Sequence, residues 1–175
     1  MIILGVDPGS VRTGYGAIET DGRRHRLLEK GVLAPGPRLP LHERLQLIHA
    51  GVRRIIERIH PAALAVEDLF HALNSRTALV LGHVRGVVLL AGAEAGLPVH
   101  AFAPATVKLQ ITGVGAAGKS QVAFMVARLL DLPGDGEAGD AADALAVALC
   151  DAHVSSGLRA GLPGHRRRVR HGAAR

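Results

Sequence analysis

The chain has almost no aromatic residues. Among 175 residues there is no tryptophan, one tyrosine (Tyr15) and three phenylalanines (Phe70, Phe102, Phe124). A core without rings must be aliphatic, and a hydrophobic content of 48% supplies it. An aromatic outside that core is then a candidate for stacking on a ligand. Cysteine is as scarce: Cys150 alone forms no intrachain disulfide, and a cysteine-based zinc site is disfavoured. Its apolar helical setting reads as a small buried hydrophobe. Uninterrupted apolar runs are short. The first, Ile2 to Val6, is stopped by Asp7 and does not read as a signal peptide. The region Thr77 to Leu97 carries His83, Arg85 and Glu94, which argues against a membrane span. A cytoplasmic protein is expected.

Acids are missing from one end. From Arg159 onward there are six arginines (159, 166, 167, 168, 170, 175) and no carboxylate. Removing those six from the 21 basic residues leaves residues 1–158 with 15 basic and 15 acidic side chains, net zero. The whole net charge of +6 therefore lies in the tail. Without periodicity, residues 158–175 read as a disordered basic segment, either a solubilising terminus or a phosphate contact. Within the neutral body, Leu69 to Leu130 has Arg76, Arg85, Lys108, Lys119 and Arg128 against Glu94 alone. An anionic polymer suits such a surface.

What is present is a set of acids at the ends of apolar segments. Asp7 closes Ile2–Val6, and Glu67 closes Ala63–Val66. Asp140 and Asp143 open the run Ala144–Leu149. Carboxylates beside a core are costly unless a cation or hydrogen bonds neutralise them. Converging, the four would form a cage of hard oxygen ligands suited to Mg²⁺ or Mn²⁺. Two such ions activate a water and stabilise the leaving oxygen of a phosphodiester. Taken singly, each acid is explained as well by a helix cap or a surface charge. Asp68 is set aside, because strand alternation points it away from Glu67.

Periodicity predicts strands over 2–7, 14–20 and 26–34 as an antiparallel meander, then an amphipathic helix over 40–59 ended by Pro61. A buried strand follows at 62–67, and a helix capped by Asn74 or Ser75 runs to Glu94. A fifth strand at 98–102 precedes a short helix from Pro104 through Leu109, then helices at 119–131 and 140–154. This is an α/β domain over residues 1–157, a mixed five-stranded sheet with helices on its faces. Gly82 and Gly86, four apart, permit close helix approach, by internal packing or in a dimer seam.

A rival motif competes. Gly113 to Ser120 (GVGAAGKS) matches the phosphate-loop pattern GxxxxGK[ST] letter for letter. Its context is wrong for an NTPase, since a helical segment rather than a core strand precedes it. Its glycines instead let Lys119 approach a DNA backbone. Phe70, just beyond Glu67, is either core or a wedge between bases. His71 and His83 lack ligand spacing.

Taken together, the motifs are recognisable. Ile3-Leu4-Gly5-Val6-Asp7-Pro8-Gly9-Ser10 and Thr13-Gly14-Tyr15-Gly16 resemble the opening of the RuvC family of Holliday-junction resolvases. The resemblance continues through Arg44-Leu45, Ile48, Glu67, Phe70, Asn74, Gly82, Arg85-Gly86 and Val107-Lys108. It runs on through Lys119 to Val122 and Asp140 to Ala146, and so covers residues 1 to about 155. It implies an RNase H-like fold and a homodimer that nicks two opposing strands of four-way junction DNA symmetrically. It also implies that Asp7, Glu67, Asp140 and Asp143 are catalytic and hold Mg²⁺ (or Mn²⁺), two per site, leaving 5′-phosphate and 3′-hydroxyl ends. Phe70, Asn74, Arg76, Lys108 and Lys119 become the expected DNA contacts, and the branch-migration proteins RuvA and RuvB the expected partners. Leu73 departs from a basic residue in a relative, so that contact is either lost or moved to Arg76. Some members carry His where Asp140 stands, and the segment 134–139 adds acids near the site. The competing readings are a junction-binding scaffold without catalysis and the phosphate-loop NTPase.

Overall fold

The computed structural model describes residues 1–68, 75–134, 136, 138–157 and 167–168. Strands β1 (Ile2–Asp7), β2 (Thr13–Thr20) and β3 (His25–Leu33) form the antiparallel meander. Helix α1 (Leu41–Ile59) then returns the chain to β4 (Ala63–Glu67), which pairs parallel to β1. Helix α2 (Ser75–Glu94) leads to β5 (Val99–Phe102), parallel to β4. Helices α3 (Pro104–Thr112), α4 (Lys119–Leu129) and α5 (Asp140–Ser156) follow.

The element boundaries have local causes. Helix α1 stops at His60, left-handed at φ 50°, directly before Pro61. Helix α3 runs three residues past Leu109, until Gly113 caps it at φ 79°. Helix α4 stops at Leu129, two residues short of the expected end, because Asp131 turns left-handed at φ 50°.

The sheet has order β3-β2-β1-β4-β5-β6. Its sixth member, β6 (Arg167–Arg168), pairs antiparallel with the β5 edge and lies within the segment expected to be unstructured. Two arginines carry no strand periodicity, so that pairing has no sequence signal; it covers a row of otherwise unpaired backbone groups. The rest of the tail lies outside the described residues.

Strand alternation divides the core into two layers. Leu4, Val6, Leu64 and Val66 face α1 and α2, where Ile48, Val52, Val84 and Val88 are fully buried. Ile3, Ile18 and Ala65 face α3, α4 and α5. Helix α5 is nearly all buried from Ala144 to His153, and its Cys150 thiol is pushed up by that burial. The helix lies against β1 and β2 because glycine stands there. A Cβ on Gly5 would overlap the carbonyl oxygen of Ala144, and one on Gly14 that of Asp140. This close seat sets the height of the first turn of α5 above the end of β1.

Gly5→Ala is expected to lift α5 and cost about 1–3 kcal/mol, the usual range for overpacking. Urea denaturation measures it; an unchanged midpoint would mean the helix yields without loss.

Candidate active site

Asp7 and Glu67 are the last residues of two adjoining parallel strands, with Val6 and Val66 in register behind them. Alternation turns both toward the α5 layer, alongside Ile3, Gly5 and Ala65. Asp140 and Asp143 occupy the first turn of α5, where the helix N-terminus favours negative charge. The fold thus brings all four expected acids to one end of the sheet. Asp68 faces the other way and pairs with Arg85 of α2 at 3.2 Å, as alternation requires.

The electrostatics show how crowded this end is. Asp7 and Glu67 share a side-chain hydrogen bond. Burial first, then the charge of Asp7 and that hydrogen bond, push Glu67 up to about 8. Burial and the charge of Asp143 raise Asp7 to about 6. Both carboxyls are thus pushed above the ordinary range, and the pair holds a proton between them. The helix acids are neutralised differently. Lys119 Nζ donates to Asp143 Oδ2 at 3.0 Å, and its own pKa rises from that contact. Arg12 Nε donates to Asp140 Oδ2 at 2.5 Å. Among the described residues, no three acid, imidazole or thiol groups are already gathered as a closed metal-ligand set. Each helix acid is turned to a cationic side chain instead. The donors are all carboxylates, which fits a hard divalent cation and not a thiophilic metal.

Hydrogen bonds to its backbone hold the loop between β1 and β2. Thr13 Oγ1 donates to Gly9 O at 2.7 Å and accepts from Gly9 N at 3.3 Å, while Arg44 donates to Ser10 O at 3.1 Å. Arg12 was not among the expected site residues; its position five residues after Asp7 was the available signal. Of the expected DNA contacts, Lys119 reaches the acids directly. Arg76 is exposed in the first turn of α2, and Lys108 is half-buried on α3 without an ion pair to the acids. Phe70 and Asn74, like Leu73 and His71, lie outside the described residues.

The phosphate-loop lookalike is resolved by its surroundings. Residues 113–118 join helix α3 to helix α4, so no strand feeds the loop as a nucleotide site requires. Its lysine reaches Asp143 at 3.0 Å.

A mixed sheet with carboxylates at the ends of β1 and β4, facing a third and fourth on a helix, defines an RNase H-like α/β nuclease. The family model described as crossover junction endodeoxyribonuclease RuvC matches residues 3–151. The chain belongs to this RuvC family. It is 49% identical over 156 residues to the crossover junction endodeoxyribonuclease RuvC of Desulforamulus reducens, covering 89% of this chain and 96% of that one. The Myxococcus xanthus protein of the same description is 48% identical over 164 residues, covering 93% and 84%. Among solved structures, Thermus thermophilus RuvC in complex with a Holliday-junction substrate superposes with a TM-score of 0.84 at 38% identity, over 89% of this chain and 95% of that chain. A yeast mitochondrial Holliday-junction resolvase, 13% identical with a TM-score of 0.63 over 90% of this chain and 82% of that one, shares the fold.

The raised pKa values have a stability consequence. Between about pH 4 and 8 the folded protein keeps protons on Asp7 and Glu67 that the unfolded chain releases. Stability contributed by this pair falls as pH rises through that window. Glu67→Gln keeps a donor for Asp7 and removes the ionisation, so the variant with chelator present should be about 1–3 kcal/mol more stable than the parent at pH 8–9. The gain should vanish by pH 4. Denaturation across that pH range measures it, and equal stability at pH 9 would contradict the crowding described.

Proposed function

We propose that this chain is a divalent-cation-dependent endonuclease that resolves Holliday junctions in recombination and repair. The observation that carries the reading is the convergence of Asp7 and Glu67 with Asp140 and Asp143 in a chain of the RuvC family. The junction named with the Thermus thermophilus relative is the substrate this reading assigns here.

Asp7, Glu67, Asp140 and Asp143 are the residues that would hold Mg²⁺ or Mn²⁺, two ions per site by the resemblance. Such ions supply an acidified water for attack on phosphorus and neutralise charge on the leaving oxygen. The chain's own residues do the positioning. Asp7 and Glu67, fixed by two strand ends, set the position of the reacting phosphate relative to the sheet. Lys119, exposed and reaching Asp143, is placed to turn to a phosphate oxygen without moving the backbone. Arg76 and Lys108 extend the cationic surface on either side. Phe70 and Asn74 are assigned to the junction by motif alone. The ends produced are 5′-phosphate and 3′-hydroxyl. Catalysis separates this reading from that of a junction-binding scaffold.

Paired symmetric nicks require two active sites, and α2 offers a surface for a second copy. It is the one described helix long and apolar enough to cross a membrane by length and composition, with a mean hydropathy of 1.4. Here Val84, Val88 and Ala91 press it on the sheet. Opposite them, Leu79 and Leu90 are 64% and 50% exposed on the same stripe as Gly82 and Gly86, whose Cβ positions meet nothing. Exposed apolar stripes with small residues suit a self-complementary two-fold contact. A homodimer through α2, acting in the cytoplasm with RuvA and RuvB, completes the proposal.

A synthetic four-way junction with Mg²⁺ should be nicked at opposed positions. Asp143→Asn should lower the rate by at least a hundredfold while junction affinity stays within threefold. Tight binding with intact strands under both Mg²⁺ and Mn²⁺ would favour the scaffold. Separately, Leu90→Glu should weaken self-association at least tenfold by sedimentation, leaving the fold intact; an unchanged dimer would place the seam elsewhere.

A further inference from the structure

Arg12 is the cation closest to the four acids that no motif accounts for. It sits at the base of the β1–β2 loop, which Thr13, Gly9 and Arg44 hold by backbone contacts. Its guanidinium donates to Asp140, yet the Arg12 side chain remains 60% exposed. Asp140 is therefore neutralised by a group that spans the rim of the site, one face on the carboxylate and the rest toward solvent. Lys119 does the same to Asp143 from the start of α4. The two helix acids thus each carry a removable counter-charge from a different element.

We propose that Arg12 exchanges partners during substrate engagement: it neutralises Asp140 in the free protein, and a divalent cation at Asp140 releases it to a DNA phosphate beside the reacting one. This inference rests on the reading of Asp140 as a cation ligand. Three observations carry it. The ion pair is largely exposed, so it is weak and readily exchanged. Guanidinium offers a planar fork that suits phosphate as well as carboxylate. The loop that bears it is tied down by the Thr13–Gly9 and Arg44–Ser10 hydrogen bonds, so the released side chain stays at the rim instead of leaving with the backbone. Exchange conserves charge: as Asp140 gains a metal, Arg12 gains a phosphate. Metal and junction then bind cooperatively through one side chain, as linkage demands.

The test uses the full-length chain and two neutral variants, Arg12→Ala and Arg12→Gln, both at an exposed position where folding is undisturbed. Without DNA, Mn²⁺ titration followed by electron paramagnetic resonance should show about two- to fivefold tighter binding in both variants, since a competitor for Asp140 is gone. On a four-way junction with Ca²⁺, both should bind about fivefold or more weakly, with the salt dependence reduced by about one phosphate contact. With chelator in place of Ca²⁺, the loss should be under twofold, because Arg12 is then held by Asp140. Unchanged Mn²⁺ affinity, or an equal loss of junction affinity with and without Ca²⁺, overturns the exchange. Asp140→Asn is the separate check on the underlying reading. If it leaves Mn²⁺ affinity unchanged, Asp140 is not a ligand and the exchange falls with that reading. If it weakens Mn²⁺ while the Arg12 variants behave as the parent, the exchange alone is wrong.

Discussion

Repulsion between carboxylates is the constraint around which this end of the molecule is arranged. Two strand ends and one helix start deliver four acids to a single place, and burial prevents water from screening them fully. The chain relieves the repulsion in two ways. The strand acids share a proton between them. The helix acids are each matched by a long cation from another element, Lys119 on Asp143 and Arg12 on Asp140. The first solution is tight and the second loose, since both cations are mostly exposed. Electrostatic strain is thus stored in the strand pair and kept exchangeable at the helix.

Much of this was legible in the sequence because it rests on short-range rules. Strand alternation turned Asp68 away from Glu67, and the Arg85 contact of Asp68 agrees. The spacing of Asp140 and Asp143 fixed them in one helical turn. Five strands and five helices followed from apolar periodicity and from the turn residues between them. Their ends drifted by a few residues where a left-handed residue, as at Asp131, decided the boundary.

What was not legible is tertiary in origin. Nothing in the local pattern of Gly5 or Gly14 announces that a helix will lie against it; that follows only once α5 is seen to need the space. The pairing of Arg12 with Asp140 spans 128 positions in the chain and has no periodic signal. Strand β6 is likewise invisible, because two arginines read as charge and not as sheet. Phe70 and Asn74 carried motif signals and lie outside the described residues.

The phosphate-loop lookalike makes the same point from the other side. A glycine-rich turn before a helix frees backbone N–H groups whatever the fold, and a lysine at the helix start adds a positive charge to them. In an NTPase those groups cradle a nucleotide. Here the turn follows a helix, and the lysine reaches sideways to an acid on α5, another helix that begins nearby. Two helix N-termini meet there, one carrying a cation and the other two carboxylates. The carboxylates gain from their helix terminus, whereas Lys119 is opposed by its own, so the contact with Asp143 must supply what holds it. Lys119 is exposed and opposed by the field of its own helix, so it can turn to another anion once Asp143 finds another cation. Identical letters therefore yield a nucleotide cradle in one fold and a releasable counter-charge in another, and the difference lies in what precedes the glycines.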